Sequence, residues 1–325
     1  MFFIKIILKL IKKYFVNMKY IKKILVGKLQ SDIVIIHYIL NYILNSVGKK
    51  IRPKIIIMIS KSLGYKGNYN NLLSVVIETI HIATILHDDV IDISDIRRCN
   101  KTINSIFGNS ASILIGDYLY SKSFEIILEL NSINLMNILS KAVQIISEGE
   151  ILQLINLRCD NTSQERYLQI IRYKTSKLFE VSALFGSILA KAKYEHERSA
   201  INFGRHIGTA FQLVDDIIDY KGVYKMLGKN SVNDLREGKP TLPIIRIMEI
   251  GKISQKLSIR YAIEKNKFDI HKISKILKET DSIKYTIKLA HNEIKLALKS
   301  LLNYPNSKFK NYLFNFCRFI INRSL

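Results

Sequence analysis

Two copies of one acidic pattern, Asp88-Asp89-Val90-Ile91-Asp92 and Asp215-Asp216-Ile217-Ile218-Asp219, lie in opposite halves of this 325-residue chain, each inside an apolar stretch. In a helix, residues four apart share a face. Asp88 and Asp92 then point the same way, as do Asp215 and Asp219, with Asp89 and Asp216 about 100° round the same rim. So many like charges on apolar helices are costly unless cations neutralise them, and an all-oxygen ligand set selects hard ions such as Mg²⁺. The spacing therefore predicts a Mg²⁺ clamp for a diphosphate, with Asp88, Asp89, Asp92, Asp215, Asp216 and Asp219 as metal ligands.

Cations stand where such a clamp would use them. Gly48-Lys49-Lys50-Ile51-Arg52-Pro53 places Lys49 and Arg52 at a helix start marked by proline, where free N–H groups and the helix dipole favour a phosphate. His81 and Thr84 precede Asp88 by seven and four residues and stack on its face. Arg97 and Arg98 follow the first block beside Asp95; a surface Arg–Asp pair is the plain explanation, and adjacent arginines each gripping a phosphate the functional one. Lys174-Thr175 interrupts an amphipathic segment, and Lys229 and Lys239 follow the second block; each adds point charge for a leaving group. Gln212 supplies an amide one turn before Asp216. No Ser/His/Asp or Cys/His arrangement suggests a protein nucleophile.

These groups need long helices to hold them. Prolines occur only at 53, 240, 243 and 305, so little interrupts helix formation. Isoleucine mildly disfavours helix, yet from Leu72 to Leu86 the apolar positions 72, 73, 76, 77 and 80 recur at helical spacing. Helices are predicted over 31–46, 52–63, 71–92, 110–130, 134–157, 164–191, 196–220 and 241–250, with breaks at Gly64–Asn71, Asn104–Ser110 and Asn230–Asn233. No linker separates halves. The expected fold is all-α: a single-domain multi-helix bundle, residues 31–325, around a deep central cavity with both acidic blocks at its mouth.

The remaining features narrow the class. A net charge of +23 invites a nucleic-acid reading, but the lysines are scattered, without a binding motif or a basic tail, and compositional drift explains them better. No nucleic-acid partner is expected. Cys99, Cys159 and Cys317 are odd in number and lack metal-ligand spacing, as free thiols of a reducing cytoplasmic compartment would. In the basic extension, residues 1–30, Lys5, Lys9, Lys12 and Lys13 break every apolar run short of a bilayer span and oppose Phe2, Phe3, Ile6, Ile7 and Leu10. An amphipathic helix on a membrane surface, giving peripheral membrane association, is one reading. A helix packing on the bundle or on a partner subunit is the preferred one.

With its neighbours in view, the chain resembles the trans-type polyprenyl diphosphate synthases, and within them the bacterial octaprenyl diphosphate synthases. The likeness runs from Ser31 to Pro243 through GKKIRP, IHIATILHDDVIDISDIRR, GDYLYSKSFE, SEGEILQL, YKTSKLFE and GTAFQLVDDIIDY…LGK…EGKPTLP. It implies the isoprenoid synthase fold, a homodimer, and Mg²⁺ bridging the aspartates to an allylic diphosphate, helped by Arg97, Lys174, Lys229 and Lys239. Lys49, Arg52, His81 and Arg98 would hold isopentenyl diphosphate, and Thr175 and Gln212 complete the substrate contacts. Asp88, Asp89, Lys174, Asp215 and Lys229 are its implied catalytic residues. The implied chemistry is ionisation, condensation and proton loss, with farnesyl diphosphate as primer and an octaprenyl product for a quinone side chain. Ala83 and Thr84, one turn (~5.4 Å) before the first block, are small where short-chain members carry an aromatic. By resemblance Ile127 and Leu139 form the floor that sets chain length. A farnesyl or geranylgeranyl diphosphate synthase and a non-catalytic subunit of a heteromeric synthase are the alternatives. Val47, Cys99 and Val232-Asn233 depart from the family pattern.

Overall fold

The computed structural model describes residues 16–45, 48, 50–97, 100–159, 161–224, 233–265 and 267–323. It is all-α apart from one two-stranded ribbon. The helices are α1 Val16–Lys28, α2 Val34–Asn45, α3 Ile51–Ser62, α4 Tyr69–Ile91, α5 Ile103–Phe107, α6 Asn109–Leu128, α7 Ile133–Ile155, α8 Gln164–Ile171, α9 Lys177–Leu189, α10 Tyr194–Tyr224, α11 Asn233–Arg236, α12 Leu242–Ile250, α13 Ile253–Lys265, α14 Ile270–Glu279, α15 Ser282–Ser300 and α16 Lys308–Asn322. The expected segments start and stop within a few residues of these. Three differences stand out. The expected break at Asn104–Ser110 holds the short α5, the segment 164–191 is divided by a π-turn at Arg172–Ser176, and a two-residue hairpin, β1 Ile96–Arg97 against β2 Asn100–Lys101, follows the first acidic block. Among Val47, Cys99, Val232 and Asn233, only the backbone of Asn233 is described, opening α11; the other three lie outside the described residues.

The chain forms two compact units. The first comprises Met1–Lys141, Val181–Glu197 and Tyr304–Leu313. Its axis is α4, which packs on α1, α3 and α6. Residues 73 and 75–77 of α4, with Ile80 and Ala83, are fully buried, so a helix apolar on most of its surface is one surrounded by others. This helix is long and apolar enough to cross a membrane, but 72% of its apolar window is buried inside the fold. On α6, Gly116 faces the His87 ring of α4, where a Cβ would fall 2.2 Å from Nε2. Helix α1 buries Ile21 and Leu25 in the same unit; residues 1–15, most of the amphipathic extension, lie outside the described residues.

The end of α4 fixes the first acidic block. The amide of Ile93 bonds the carbonyl of Val90 at 3.2 Å and that of Ser94 bonds Asp89 at 2.9 Å, closing a Schellman turn. This turn needs a left-handed residue, and Ile93 takes the role at φ 50°. A β-branched side chain there stores strain of about 1–2 kcal/mol. Compensation comes from Asn104, whose Nδ2 donates to the carbonyls of Asp89 and Ser94 at 3.2 and 3.1 Å, and from the Thr102 hydroxyl donating to Ser94 at 2.7 Å.

The second unit comprises Ala142–Glu180, Arg198–Asn303 and Phe314–Leu325. Its α10 carries the second acidic block, and Leu213, Val214, Ile217 and Tyr220 are fully buried on the inner faces of that helix. Tyr220, Leu235, Ile244, Ile247, Ile259, Ile273, Ile276 and Leu277 form one apolar cluster beneath it. The Tyr220 hydroxyl meets Thr241 at 2.6 Å, tying the turn after Lys239 to α10.

Candidate active site

Each acidic block has the same burial pattern. Asp89 is 3% exposed and Asp216 is 2% exposed, while the flanking Asp88, Asp92, Asp215 and Asp219 are partly exposed. The middle carboxylate of each block is the buried one. Asp89 Oδ1 accepts from Nε of Arg97 at 2.7 Å, so Arg97 pairs with the block rather than with Asp95. Burial raises the Asp89 pKa, and the Arg97 charge works against that rise. In the second block, Asp216 Oδ2 accepts from the Tyr167 hydroxyl at 2.5 Å and Oδ1 from Nε2 of Gln212 at 2.8 Å. Burial lifts Asp216 to about 7, opposed by those two hydrogen bonds and reinforced by Asp215 and Asp219. A carboxylate that is desolvated and flanked by like charges calls for a cation nearby.

Among the described residues, no three His, Cys, Asp or Glu side chains gather closely enough to form a complete protein metal site. The donor set still fits Mg²⁺, which takes one or two carboxylates and fills its octahedron with water and substrate phosphates. Asp88 with Asp92, and Asp215 with Asp219, are i,i+4 pairs of partly exposed oxygen donors of that kind. Asp219 is also steadied from the far side: its Oδ2 accepts the amide of Asp234 at 3.2 Å, at the start of α11. Burial, with Asp216 and Asp219 adding to it, pushes the Asp234 carboxyl well above the usual carboxylate range. Asp234 is a fourth acid of this cluster that the sequence pattern did not single out, because it stands fifteen residues beyond the block in a loop segment.

Lys174 and Thr175 sit in the π-turn between α8 and α9. A π-turn widens the helix by one residue and presents side chains that a regular helix would not, which is why such turns concentrate at functional sites. Nζ of Lys174 donates to Glu150 at 2.5 Å and to Oε1 of Gln153 at 2.8 Å, both on α7. Glu150 and Gln153 were not singled out, although their i,i+3 spacing was visible. Gly149 permits the approach: a Cβ there would lie 2.6 Å from the amide nitrogen of Lys174. On the other side Gly208 would set a Cβ 2.7 Å from Cα of Ser176. Thr175 donates to Oε1 of Gln212 at 2.9 Å, and Gln212 donates in turn to Asp216. The π-turn and the second block are thus one hydrogen-bonded assembly. Arg172, the first residue of the turn, lies 3.7 Å from Glu293, which also takes a 2.6 Å bond from His206.

In the first unit, Nη1 of Arg52 lies 3.0 Å from Nε2 of His81, so two of the residues expected to share a diphosphate are in contact. Thr84 hydrogen bonds the His81 carbonyl within α4 at 2.9 Å. Lys50, at φ 45°, opens α3; burial lowers its pKa, and Glu78 opposes that effect. Lys239 lies 2.7 Å from Glu237, and its amide bonds the Asp234 carbonyl at 2.8 Å. Lys49, Arg98 and Lys229 lie outside the described residues. Ala83, Ile127 and Leu139 are fully buried, and Thr84 partly so.

Comparison with known proteins identifies the family and the fold. Residues 34–280 match the family described as Polyprenyl synthetase. Octaprenyl diphosphate synthase of Escherichia coli is 38% identical over 298 residues, which cover 91% of this chain and 92% of that protein. The Haemophilus influenzae octaprenyl diphosphate synthase is 36% identical, covering 95% of this chain and 94% of that one. Among solved structures, a decaprenyl diphosphate synthase from Rhodobacter capsulatus superposes with a TM-score of 0.92 at 29% identity, covering 98% of this chain and 99% of the other. A polyprenyl synthase from Caulobacter crescentus, complexed with calcium and isoprenyl diphosphate, gives a TM-score of 0.91 at 30% identity, with 98% of each chain covered. The chain has their isoprenoid synthase fold and belongs to the polyprenyl synthetase family, as a trans-prenyltransferase.

Proposed function

We propose that the chain is a Mg²⁺-dependent head-to-tail prenyltransferase that condenses isopentenyl diphosphate with an allylic diphosphate, farnesyl diphosphate serving as primer, and releases octaprenyl diphosphate for a quinone side chain. The observation that carries this reading is the repeated pair of partly exposed carboxylates, Asp88 with Asp92 and Asp215 with Asp219, each flanking a buried carboxylate that protein donors hold. The likeness to octaprenyl diphosphate synthases supports the product length, and the calcium and isoprenyl diphosphate of the Caulobacter enzyme support a divalent ion and a prenyl diphosphate as its companions.

In this reading Asp88, Asp92, Asp215 and Asp219 hold the metal ions directly, whereas Asp89 and Asp216 position Arg97 and the Gln212–Thr175 link. Bound Mg²⁺ supplies neutralisation of the diphosphate charge. Lys174, Lys229 and Lys239, and Arg97 beside the first block, supply positive charge for a leaving diphosphate, so that the bond from the allylic C1 to diphosphate oxygen breaks with its electron pair leaving on oxygen. Arg52 and His81, with Lys49 and Arg98, hold the diphosphate of isopentenyl diphosphate so that its double bond attacks the allylic carbon. Loss of a proton from the adduct restores an alkene, and the released diphosphate accepts it. No protein nucleophile takes part.

Small residues before the first block, Ala83 and Thr84, leave room for a growing tail, and Ile127 and Leu139 serve as its floor. The enzyme acts in the cytoplasm as a homodimer, and the basic sequence of residues 1–30 gives it charge for peripheral membrane contact. Incubating the protein with labelled isopentenyl diphosphate, farnesyl diphosphate and Mg²⁺ tests the proposal: a forty-carbon product supports it, a product that stops at twenty carbons reassigns the chain to the short-chain synthases, and no elongation of the fifteen-carbon primer overturns it.

A further inference from the structure

The C-terminal helix reaches the second acidic block. Cys317 and Ile320 of α16 are fully buried, which anchors the helix, and the next turn presents Arg323. Nη2 of Arg323 lies 2.9 Å from Oδ1 of Asp215. Its guanidinium also stands over the ring of Phe211, 5.0 Å from the centroid. Phe211 lies one turn before Asp215 on α10, so ring and carboxylate hold the same cation. A second guanidinium nitrogen, Nη1, is buried without a hydrogen-bond partner. Leaving a charged donor unsatisfied is costly, and a guanidinium at its final destination normally uses its whole fork. Arg323 is therefore held by one carboxylate oxygen and one ring face, as a placeholder is.

We propose that Arg323 is the tethered counter-ion of the second block: it neutralises Asp215 while the site lacks metal and must give up that carboxylate when a divalent cation arrives. The inference rests on the reading of Asp215 as a metal ligand. Two cations cannot share one carboxylate oxygen without repulsion at close range, so metal and guanidinium compete for it. Asp215 and Arg323 are 37% and 24% exposed, which places the pair among partly solvated ion pairs of modest strength. Displacement needs only side-chain rotation about a backbone that the buried part of α16 keeps in place. Arg323 then acts as a positioning residue that sets the metal concentration at which the second block fills, and keeps Asp215 from collapsing towards other cations beforehand.

The test uses the full chain without prenyl substrates. Thermal shift is followed as Mg²⁺ is added, with Mn²⁺ binding counted by electron paramagnetic resonance, in wild type, Arg323→Gln, Arg323→Lys and each of these in an Asp215→Asn background. Removing the competing charge in Arg323→Gln lowers the half-saturating metal concentration about two- to fivefold, while Arg323→Lys retains most of the wild-type value. In the Asp215→Asn background, Arg323→Gln changes nothing further. A half-saturation unchanged or raised in Arg323→Gln, or an equal shift in the Asp215→Asn background, overturns the inference. Should Arg323→Gln fail to fold, Phe211→Leu removes the ring support instead and shifts half-saturation the same way; no shift there overturns the inference equally. A wild type that shows no metal-dependent change at all overturns the metal reading of the block, and the role of Arg323 with it.

Discussion

Lys174 shows how a single charge is made useful. Its stem is gripped by a π-turn and its ammonium by Glu150 and Gln153, so little rotamer freedom remains to be lost when a diphosphate binds. Lys174→Gln should lower kcat about a hundredfold, as the loss of one preorganised charge on a leaving group does, with KM changed much less. Glu150→Gln keeps the shape and loses the charge-assisted anchor, and about a tenfold fall in kcat is expected. Steady-state kinetics on both variants, with circular dichroism to verify folding, checks these values. An unchanged kcat for Lys174→Gln would remove the lysine from the chemistry.

At the scale of elements, the turn that ends α4 carries a recognisable burden. Ile93 adopts the left-handed conformation that glycine tolerates without penalty, and its side chain is 83% exposed, so little packing is lost on removing it. Ile93→Gly should raise the unfolding free energy by about 1 kcal/mol, read by urea denaturation, the gain being trimmed by the greater freedom of glycine in the unfolded chain. The position of α4 also bears on product length. Ala83→Tyr should truncate the product and Leu139→Ala lengthen it, and unchanged chromatograms for both would contradict the assignment of these residues to the path of the tail. Element type and extent were legible because apolar periodicity and the scarcity of proline leave few alternatives to long helices. What periodicity could not convey are the features that tertiary contact imposes. The π-turn at Arg172–Ser176 lies against α7 at Gly149 and against α10 at Gly208. The Asp89–Arg97 pair depends on a hairpin two residues long. The Tyr167 hydroxyl donates to Asp216, a contact that an amphipathic pattern does not specify. Helical geometry gives the angle between the side chains of a block but not which of them faces protein, so the burial of Asp89 and Asp216 was not legible in the sequence.

On the scale of the whole molecule, the excess of 50 basic over 27 acidic residues belongs to the background on which the site is written. Six of those 27 acids form the two blocks, and among them Asp89 is held by Arg97, Asp216 by Tyr167 and Gln212, and Asp215 by Arg323. The family was legible from the order of its motifs alone, because the two aspartate blocks occur with their expected neighbours along most of the chain, and the match over residues 34–280 agrees. The central claim is that this arrangement builds a long all-trans prenyl chain with the help of divalent metal. Its most direct test is a product analysis with labelled isopentenyl diphosphate and farnesyl diphosphate, run with Mg²⁺ and again with the metal chelated. The account predicts a forty-carbon polyprenyl diphosphate in the first reaction and none in the second; no elongated product with Mg²⁺, or equal product without it, would contradict it.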